Sequence, residues 1–526
     1  MRFFNTEGPV RADLHYCLPP LGRWDLDEVL TLIERQKYFL LHAPRQTGKT
    51  TCLLALREHL HQTGRYRAVY ANIEGAQACR ENVEQGMAAI VTDIAGWAEH
   101  GLGAEGAAVP ALARRILATT PPGSALGAFL TQWCASDSRP LVLLVDEVDA
   151  LVGDTLISLL RQLRAGYVKR PAEFPQTVIL CGVRDLRDYR IHASSEASPI
   201  TGGSAFNIKA KSLRLGDFTA AETRTLLLEH TAATGQIITP EALDRVFELT
   251  RGQPWLVNAL AYQACFEDRA GRDRSQPIDV AAIDQAKETL IVERVTHLDQ
   301  LADKLREDRV RRVIEPLLAG TEPEIVAQDD RDYLVDLGLL RRDGAGGLVV
   351  ANPIYREVLP RMLASGPQDA LPRISPTWLN PDSSLNPEAL LDAFLCFWRQ
   401  HGQPLLKSAP YQEIAPHLVL MAFLHRVVNG EGALEREYAI GSGRMDLCLR
   451  YGAVTLGLEL KVWRDGEPDP LAEGLEQLDG YLAGLGLDSG WLVVFDRRTG
   501  QPPIAERTAR QTVVSSQGRR IEVIRA

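Results

Sequence analysis

Two stretches of this sequence hold residue types suited to phosphate chemistry. The first is Ala43-Pro44-Arg45-Gln46-Thr47-Gly48-Lys49-Thr50, followed by Thr51. It fits the spacing GxxxxGK(S/T), with Ala43 in place of the first glycine. Gly48 allows the sharp turn that aims backbone N–H groups at phosphate oxygens. Lys49 reaches the β- and γ-phosphates, Thr50 offers a hydroxyl to Mg²⁺, and a helix starting here favours negative charge. Because Gly48 and Lys49 remain, Ala43 is expected to cost no binding. The second stretch is Leu141–Val145, five apolar residues running into Asp146 and Glu147. An acid at the end of a strand covered on both faces can hold Mg²⁺ through water, the role expected of Asp146. Glu147 can then polarise the attacking water. Together they point to a nucleoside triphosphate site, with ATP and Mg²⁺ as the expected ligands.

Other residues could join this site. Asp149 follows the acid pair, and a loop acid there is expected to be merely solvated. Arg184 lies just past the apolar run Val178–Gly182. An arginine at that place can sense the γ-phosphate or simply lie on the surface. In Arg251-Gly252-Gln253-Pro254-Trp255, Pro254 can press on the adenine, or the glycine and proline can be a plain helix-breaking turn.

A third constellation lies near the C-terminus. A two-residue turn at Gly452-Ala453, with glycine first, sets the register of a hairpin. Tyr451 then faces Val454, and counting outward Asp446 faces Glu459. Met445, Leu447 and Leu449 share an apolar face with Val454, Leu456, Leu458 and Leu460. The other face carries Arg444, Asp446 and Cys448 with Gly457, Glu459 and Lys461. Opposed carboxylates repel. A hard cation, Mg²⁺ or Mn²⁺, between Asp446 and Glu459 would remove that cost, and Lys461 can stabilise charge on a reacting phosphate.

These residues need elements to position them. Apolar runs at Lys37–His42, Arg67–Ile73, Leu141–Val145, Thr177–Gly182 and Leu213–Leu215 read as strands. They alternate with helical stretches at Lys49–Gln62, Asn82–His100 and Thr155–Gly166. That alternation predicts a parallel sheet with helices on both faces. Gly101–Gly123, rich in Ala, Gly and Pro, reads as a loose excursion. Residues 219–299 read as helical. Residues 300–363 read as helices ending in a short hairpin around Asp343–Gly347, a winged-helix pattern. Five prolines in residues 364–388 mark a linker. Beyond it, a helix Tyr411–Val428, strands Leu434–Ile440, Arg444–Arg450 and Val454–Trp463, a helix Leu471–Ala483 and a final strand Trp491–Phe495 give the order αβββαβ. The expected domains are a P-loop core at 1–218, a helical lid at 219–299, a winged helix at 300–363, a linker at 364–388 and a C-terminal domain at 389–526.

Composition bounds the reading. The chain has 526 residues, and its net charge of −10 excludes a polycation that coats nucleic acid, so nucleic-acid contact must come from a local surface. The basic stretches Arg306–Arg312 and Arg341-Arg342 are either solvated faces or such a surface. Eight scattered cysteines without a CxxC pair read as reduced thiols. No apolar stretch reaches the roughly 20 residues needed to cross a membrane. A cytoplasmic protein is expected.

Residues 1–363 resemble the AAA-like ATPases related to STAND regulators through the APRQTGKTT loop, LVDEVD, Arg184 and Gly252-x-Pro254. The resemblance implies a P-loop core, a helical lid, a winged helix and nucleotide-gated switching, and it places His15-Tyr16 near the base. The C-terminal part resembles the PD-(D/E)XK nuclease superfamily through Gly443-Arg444-Met445-Asp446-Leu447, Glu459-Leu460-Lys461 and, on the following helix, Gln477 with Tyr481. That resemblance implies a restriction-endonuclease-like fold and adds Gln477 and Glu413 to the catalytic set, with Glu435 and Glu437 as rivals of Glu413. The expectation is an ATPase controlling a metal-dependent nuclease on DNA or RNA, suited to defence against foreign nucleic acid. It includes a nucleotide-dependent homo-oligomer as one assembly. The alternative is a STAND-like regulator or scaffold that binds nucleic acid or a partner without cleaving it.

Overall fold

The computed structural model describes residues 2–185, 190–191, 200–201, 207–292, 304–318, 327–344, 346–360, 376–408, 415–428, 432–440 and 443–526. They fall into two compact units. One comprises Met1–Glu293 with Ala327–Asn352, the other Arg294–Val326 with Pro353–Ala526.

The first unit is built on five strands: β1 (Tyr38–His42), β2 (Arg67–Asn72), β3 (Leu141–Asp146), β4 (Thr177–Gly182) and β5 (Lys209–Arg214). Their order in the sheet is β2-β3-β4-β1-β5, and every neighbouring pair is parallel. All residues of β3 and β4 are buried, as expected of strands covered on both faces. The strand period of two splits their side chains between two cores. Leu141, Leu143, Val145, Val178 and Leu180 point to one side. Val142, Leu144, Ile179 and Cys181 point to the other, which is filled by helices α1 (Leu26–Glu34) and α2 (Lys49–Gln62). From α2, Cys52, Leu53, Leu56 and Leu60 are buried. Each such leucine contributes about 1.5–3 kcal/mol, which fixes the helix whose first residue is Lys49.

The opposite core is covered by α3 (Val83–Leu102), α4 (Val109–Thr119), α5 (Pro122–Cys134) and α6 (Gly153–Gly166). Here the structure corrects the sequence reading: Gly101–Gly123 is not a loose excursion but contains all of α4 and the start of α5. The Ala/Gly/Pro content hides a helical period. Val109, Ala113 and Ile116 lie at i, i+4 and i+7 and are buried.

Past β5 the chain is helical: α7 (Ala220–Thr234), α8 (Pro240–Thr250), α9 (Pro254–Tyr262) and α10 (Val280–Val292). Thr219 and Glu222 form a reciprocal capping box on α7. Between α8 and α9, Gly252 has φ +78, and a Cβ there would lie 1.8 Å from the Phe218 carbonyl oxygen, so only glycine fits this joint. The unit is completed by α11 (Gln328–Asp336) and the hairpin β6 (Leu340–Arg342) and β7 (Leu348–Val350), at the place the sequence predicts.

The second unit holds a six-stranded mixed sheet. Helices α12 (Pro387–Ser408) and α13 (Ala415–Val428) directly precede the strands β8 (Gly432–Ile440), β9 (Gly443–Tyr451) and β10 (Val454–Trp463). Then come α14 (Leu471–Leu485), β11 (Ser489–Asp496), a short α15 (Ile504–Arg507), β12 (Ala509–Val514) and β13 (Arg520–Arg525). The sheet order is β8-β9-β10-β11-β13-β12. The sequence reading stopped at β11, and β12 and β13 extend it. In β13, Ile521, Val523 and Ile524 are buried, and its parallel pairing with β11 makes β11 an interior strand. Trp378 is buried with its ring 5.9 Å from Phe423, and Asn386 caps α12 through Ala389 N–H.

Candidate nucleotide site and candidate acidic site

The loop before α2 takes its shape from two positive φ angles, +58° at Gln46 and +90° at Gly48, the N-cap of α2. Ala43 has no positive φ. Its N–H continues the strand by donating to Gly182 O at 3.3 Å and its side chain is buried, so alanine fits where the motif has glycine. Lys49 Nζ donates to the carbonyl oxygens of Ala43 (3.0 Å) and Pro44 (2.9 Å). Thr47 Oγ1 donates to Pro44 O at 2.9 Å. Arg45 and Gln46 are exposed.

The two sequence motifs meet. Thr50 Oγ1 donates to Asp146 Oδ2 at 2.7 Å, and Asp146 is fully buried. Tyr70 OH donates to the same oxygen at 3.1 Å, and the Glu147 N–H takes Asp146 Oδ1 at 3.0 Å. Asp146 is thereby fixed where it and the Thr50 hydroxyl could hold Mg²⁺. Glu147 is in the left-handed region with φ +60. Burial, with Asp146 and Asp149 adding to it, pushes its carboxyl up to about 7, suiting a group that takes a proton near neutrality. Asp149 is more than a solvated acid, because its Oδ1 accepts the Val183 N–H at 2.8 Å and joins the loop after β3 to the end of β4.

Arg184 follows β4. Its guanidinium carbon sits 5.3 Å from the centroid of the Tyr333 ring on α11. Beside it, Asp336 Oδ2 accepts the Asp185 N–H (3.2 Å), and Asp185 binds Lys209 Nζ at 2.5 Å. A Cβ at Gly338, just past α11, would come within 2.7 Å of Pro44. This close approach requires glycine and lays the end of α11 against the phosphate loop.

An apolar cavity opens on the other side of the loop. Gln46, Thr47, Gly48 and Thr51 line one wall, Pro254, Trp255 and Asn258 of α9 another, with Tyr16, Arg23 and Phe218 nearby. Pro254 and Tyr16 are therefore at the cavity, while the His15 ring accepts the Arg11 N–H at 3.0 Å. Thr51 Oγ1 accepts the Val10 N–H at 3.1 Å, holding the N-terminal segment over α2. The sequence reading missed Arg23. It donates to Thr47 O (3.1 Å) and Gly216 O (2.5 Å) and stacks 4.4 Å over Phe218. Nothing in its local sequence marks it. Tyr70 and Asn258 were likewise missed, since their roles arise only where separate elements meet.

In the second unit the hairpin register is as read: Tyr451 pairs with Val454, Leu449 with Leu456 and Leu447 with Leu458. One step further lie Asp446 and Glu459. Asp446 Oδ2 accepts the Leu460 N–H at 2.8 Å. Glu459 is 4% exposed, and its Oε2 has no hydrogen-bond partner among the described residues. Burial first, and then the neighbouring Asp446, hold its carboxyl well above the usual range. Lys461 Nζ lies 3.4 Å from Glu459 Oε1 and 3.3 Å from Glu473 Oε1, and donates to Gln477 Oε1 at 2.5 Å. Burial pulls the Lys461 ammonium down, but Glu459, Glu473 and Asp446 outweigh it and raise it. The face carrying these groups is covered: Cys448 is buried under Leu478 and Leu482 of α14. A Cβ at Gly474 would meet Leu492 at 2.7 Å and Lys461 Cγ at 3.4 Å, so glycine brings α14 down onto the lysine. Glu473, one helical turn before Gln477, is a further site residue the sequence reading did not name.

Glu413 lies outside the described residues, as do the side chains of Glu435 and Glu437. Backbone pairing sets Glu435 against Cys448. Glu437 falls between the pairs Arg436–Leu447 and Tyr438–Met445, level with Asp446. Among the described residues no group of three or more His, Cys, Asp and Glu side chains is placed to hold a metal ion. The fit to a cation therefore rests on Asp446 and the unpartnered Glu459 oxygen. The basic stretches supply their own counter-charges: Arg309 pairs with Glu307 at 3.2 Å and Arg342 with Asp332 at 3.1 Å. No helix among the described residues is long and apolar enough to cross a membrane.

Residues 33–189 match the family model described as an AAA domain. The chain thus carries an AAA-like P-loop ATPase domain, and the loop, strand-end acid pair and parallel sheet above are its parts. No curated protein matches the chain. Among solved structures, it is similar to the Walker-type ATPase PabY2304 of Pyrococcus abyssi at 14% identity, covering 68% of this chain and 99% of that one, with a TM-score of 0.47. It is also similar to the RuvB Holliday junction branch migration motor of Thermotoga maritima, at 15% identity over 62% of this chain and 92% of that one, with a TM-score of 0.33. Cdc6p from Pyrobaculum aerophilum shows 16% identity over 63% of this chain and 88% of that one, with a TM-score of 0.35.

Proposed function

We propose that this ATPase domain controls a metal-dependent phosphodiesterase site in the C-terminal sheet that acts on DNA or RNA. The observation that carries the reading is Glu459: a buried carboxylate with one oxygen unpartnered, beside Asp446 and within 3.4 Å of Lys461. A buried carboxyl oxygen left without a partner is costly unless something pairs with it. Asp446 and Glu459 would hold Mg²⁺ or Mn²⁺, hard ions that suit oxygen donors. Such an ion supplies Lewis-acid polarisation of a phosphate oxygen. Gln477 and Glu473 hold the Lys461 ammonium beside the carboxylates, where it meets negative charge developing on a reacting phosphate. In the first unit, Thr50 and Asp146 would hold Mg²⁺ and Glu147 would orient the hydrolytic water. Arg184 and Pro254 would report nucleotide occupancy to α11 and α9.

The test is cleavage of end-labelled single- and double-stranded DNA and RNA in Mg²⁺ or Mn²⁺. Metal-dependent products that vanish in Lys461→Ala support the reading, and products that persist in that variant place the chemistry elsewhere. A second reading is a regulator or scaffold built on the same ATPase domain. In it the C-terminal sheet binds nucleic acid or a partner without cutting, and mobility shifts without products in Mn²⁺ would select it.

A further inference from the structure

An arginine that senses a phosphate must be held in place, because its free side chain carries about 2 kcal/mol of rotamer entropy. For Arg184 the hold comes from a helix far along the chain. Tyr333 and Asp336 stand three positions apart on α11 and so share one face of it. Both are buried. The Tyr333 ring lies 5.3 Å from the Arg184 guanidinium carbon, within the range of a cation–π contact. Asp336 Oδ2 accepts the N–H of the next residue, Asp185, at 3.2 Å. The ring thus grips the side chain, and the carboxylate grips the backbone behind it.

The end of α11 is itself fastened to the sheet. Arg214, the last residue of β5, donates from Nη2 to Val335 O at 3.1 Å. His42, the last residue of β1, sets its Nδ1 3.6 Å from Asp336 Oδ1. Asp185 is fixed in turn by Lys209 Nζ and the Ser212 hydroxyl of β5, both at 2.5 Å. With Gly338 against Pro44, α11 is docked on the carboxyl ends of β1, β4 and β5. That edge of a parallel sheet is where ligands bind, and here it carries the phosphate loop and Arg184. Neither Tyr333 nor Asp336 belongs to a nucleotide motif.

We propose that Tyr333 and Asp336 are positioning residues that hold Arg184 ready for the γ-phosphate, which makes α11 a part of the ATP site that tells ATP from ADP. The proposal rests on the reading of Arg184 as a γ-phosphate sensor. A donor fixed in advance stabilises phosphate charge without the cost of ordering it on binding. The coupling runs both ways. A γ-phosphate that engages Arg184 strengthens the seating of α11, and ADP, which has none, leaves that seating as it was.

The experiment compares ADP with a slowly hydrolysed ATP analogue on the full chain, by amide hydrogen exchange and by equilibrium binding. In the unaltered protein the amides of α11 should exchange more slowly with the analogue than with ADP. Equal exchange with the two nucleotides overturns the proposal, and this comparison needs no variant to fold. Tyr333→Leu should lower the ratio of analogue to ADP affinity roughly threefold to thirtyfold, the worth of one cation–π contact, and leave ADP affinity in place. Tyr333→Phe, which keeps the ring, should keep the ratio. Asp336→Asn, which keeps an acceptor for the Asp185 N–H, should also keep it, and Asp336→Leu should lower it. Added to Arg184→Ala, Tyr333→Leu should lower the ratio no further, since the two act as one unit. A ratio unchanged in Arg184→Ala overturns the sensor reading and the proposal with it. A ratio lowered in Arg184→Ala but unchanged in a Tyr333→Leu that still binds ADP overturns only the role of α11.

Discussion

The two candidate sites differ in how their acids are held. In the P-loop site the acid that closes β3 and the loop lysine are both held: Asp146 accepts from Thr50, Tyr70 and the Glu147 N–H, and Lys49 donates to two loop carbonyls. In the C-terminal site Asp446 accepts the Leu460 N–H, and Glu459 keeps a buried oxygen without a hydrogen-bond partner among the described residues. The first arrangement holds its shape through backbone geometry and hydrogen bonds. The second stores like-charge repulsion that a bound cation would release. A phosphate cradle can thus be preformed by its own chain, while two neighbouring acids, if they hold a metal as proposed, repel one another until it arrives.

The predictions that press hardest on this contrast remove one group from each site. Glu147→Gln should lower ATP hydrolysis by about 10²- to 10⁴-fold, the usual contribution of a positioned base, and leave ATP binding in place; steady-state turnover and equilibrium binding separate the two. Lys461→Ala should lower cleavage by roughly 10²- to 10³-fold, as when one electrostatic stabiliser is lost, with ATP binding unchanged. Loss of ATP binding in that variant would break the separation of the sites.

Smaller effects bear on stability. Gly252→Ala should destabilise the first unit by about 2–4 kcal/mol, because the added Cβ meets the Phe218 carbonyl and the φ is positive; urea unfolding followed by circular dichroism reads it. Glu459→Gln should do the reverse and stabilise the second unit by about 1–3 kcal/mol in chelator. A carboxyl raised above its unfolded value binds its proton more tightly when folded, so its unfavourable contribution is absent below the ordinary glutamate range and grows as pH rises above it. The gain in melting temperature should therefore be larger at pH 8 than at pH 5. Mn²⁺ should raise the melting temperature of the unaltered protein and not that of the variant.

The same contrast explains what the sequence made legible. The P-loop is contiguous, and its strand–turn–helix context shows in the run Lys37–Gln62, so the loop, Asp146 and Glu147 could be named before any coordinates. Strand alternation also sufficed to register the hairpin, since a type II′ turn leaves little freedom in pairing Tyr451 with Val454. Arg23, Tyr70, Asn258 and Glu473 were not legible. Each acts through an atom supplied by a separate element or a backbone carbonyl, and no spacing encodes those meetings. Helix α4 escaped for another reason: its buried residues Val109, Ala113 and Ile116 stand in a stretch rich in Ala, Gly and Pro, a composition that reads as loop. The end strands β12 and β13 were not read at all: β13 sets Ile521, Val523 and Ile524 among Arg520, Glu522 and Arg525, and its pairing with β11 is what makes it part of the sheet.

The most direct test of the account is the dependence of nucleic-acid cleavage on the nucleotide site. Labelled DNA and RNA are incubated in Mn²⁺ with the unaltered protein and Lys49→Ala, each with and without ATP. The account predicts cleavage whose rate changes on adding ATP to the unaltered protein, and no such change in Lys49→Ala. Cleavage equal in all four conditions would contradict control by the ATPase domain, and no cleavage in any of them would contradict the phosphodiesterase itself.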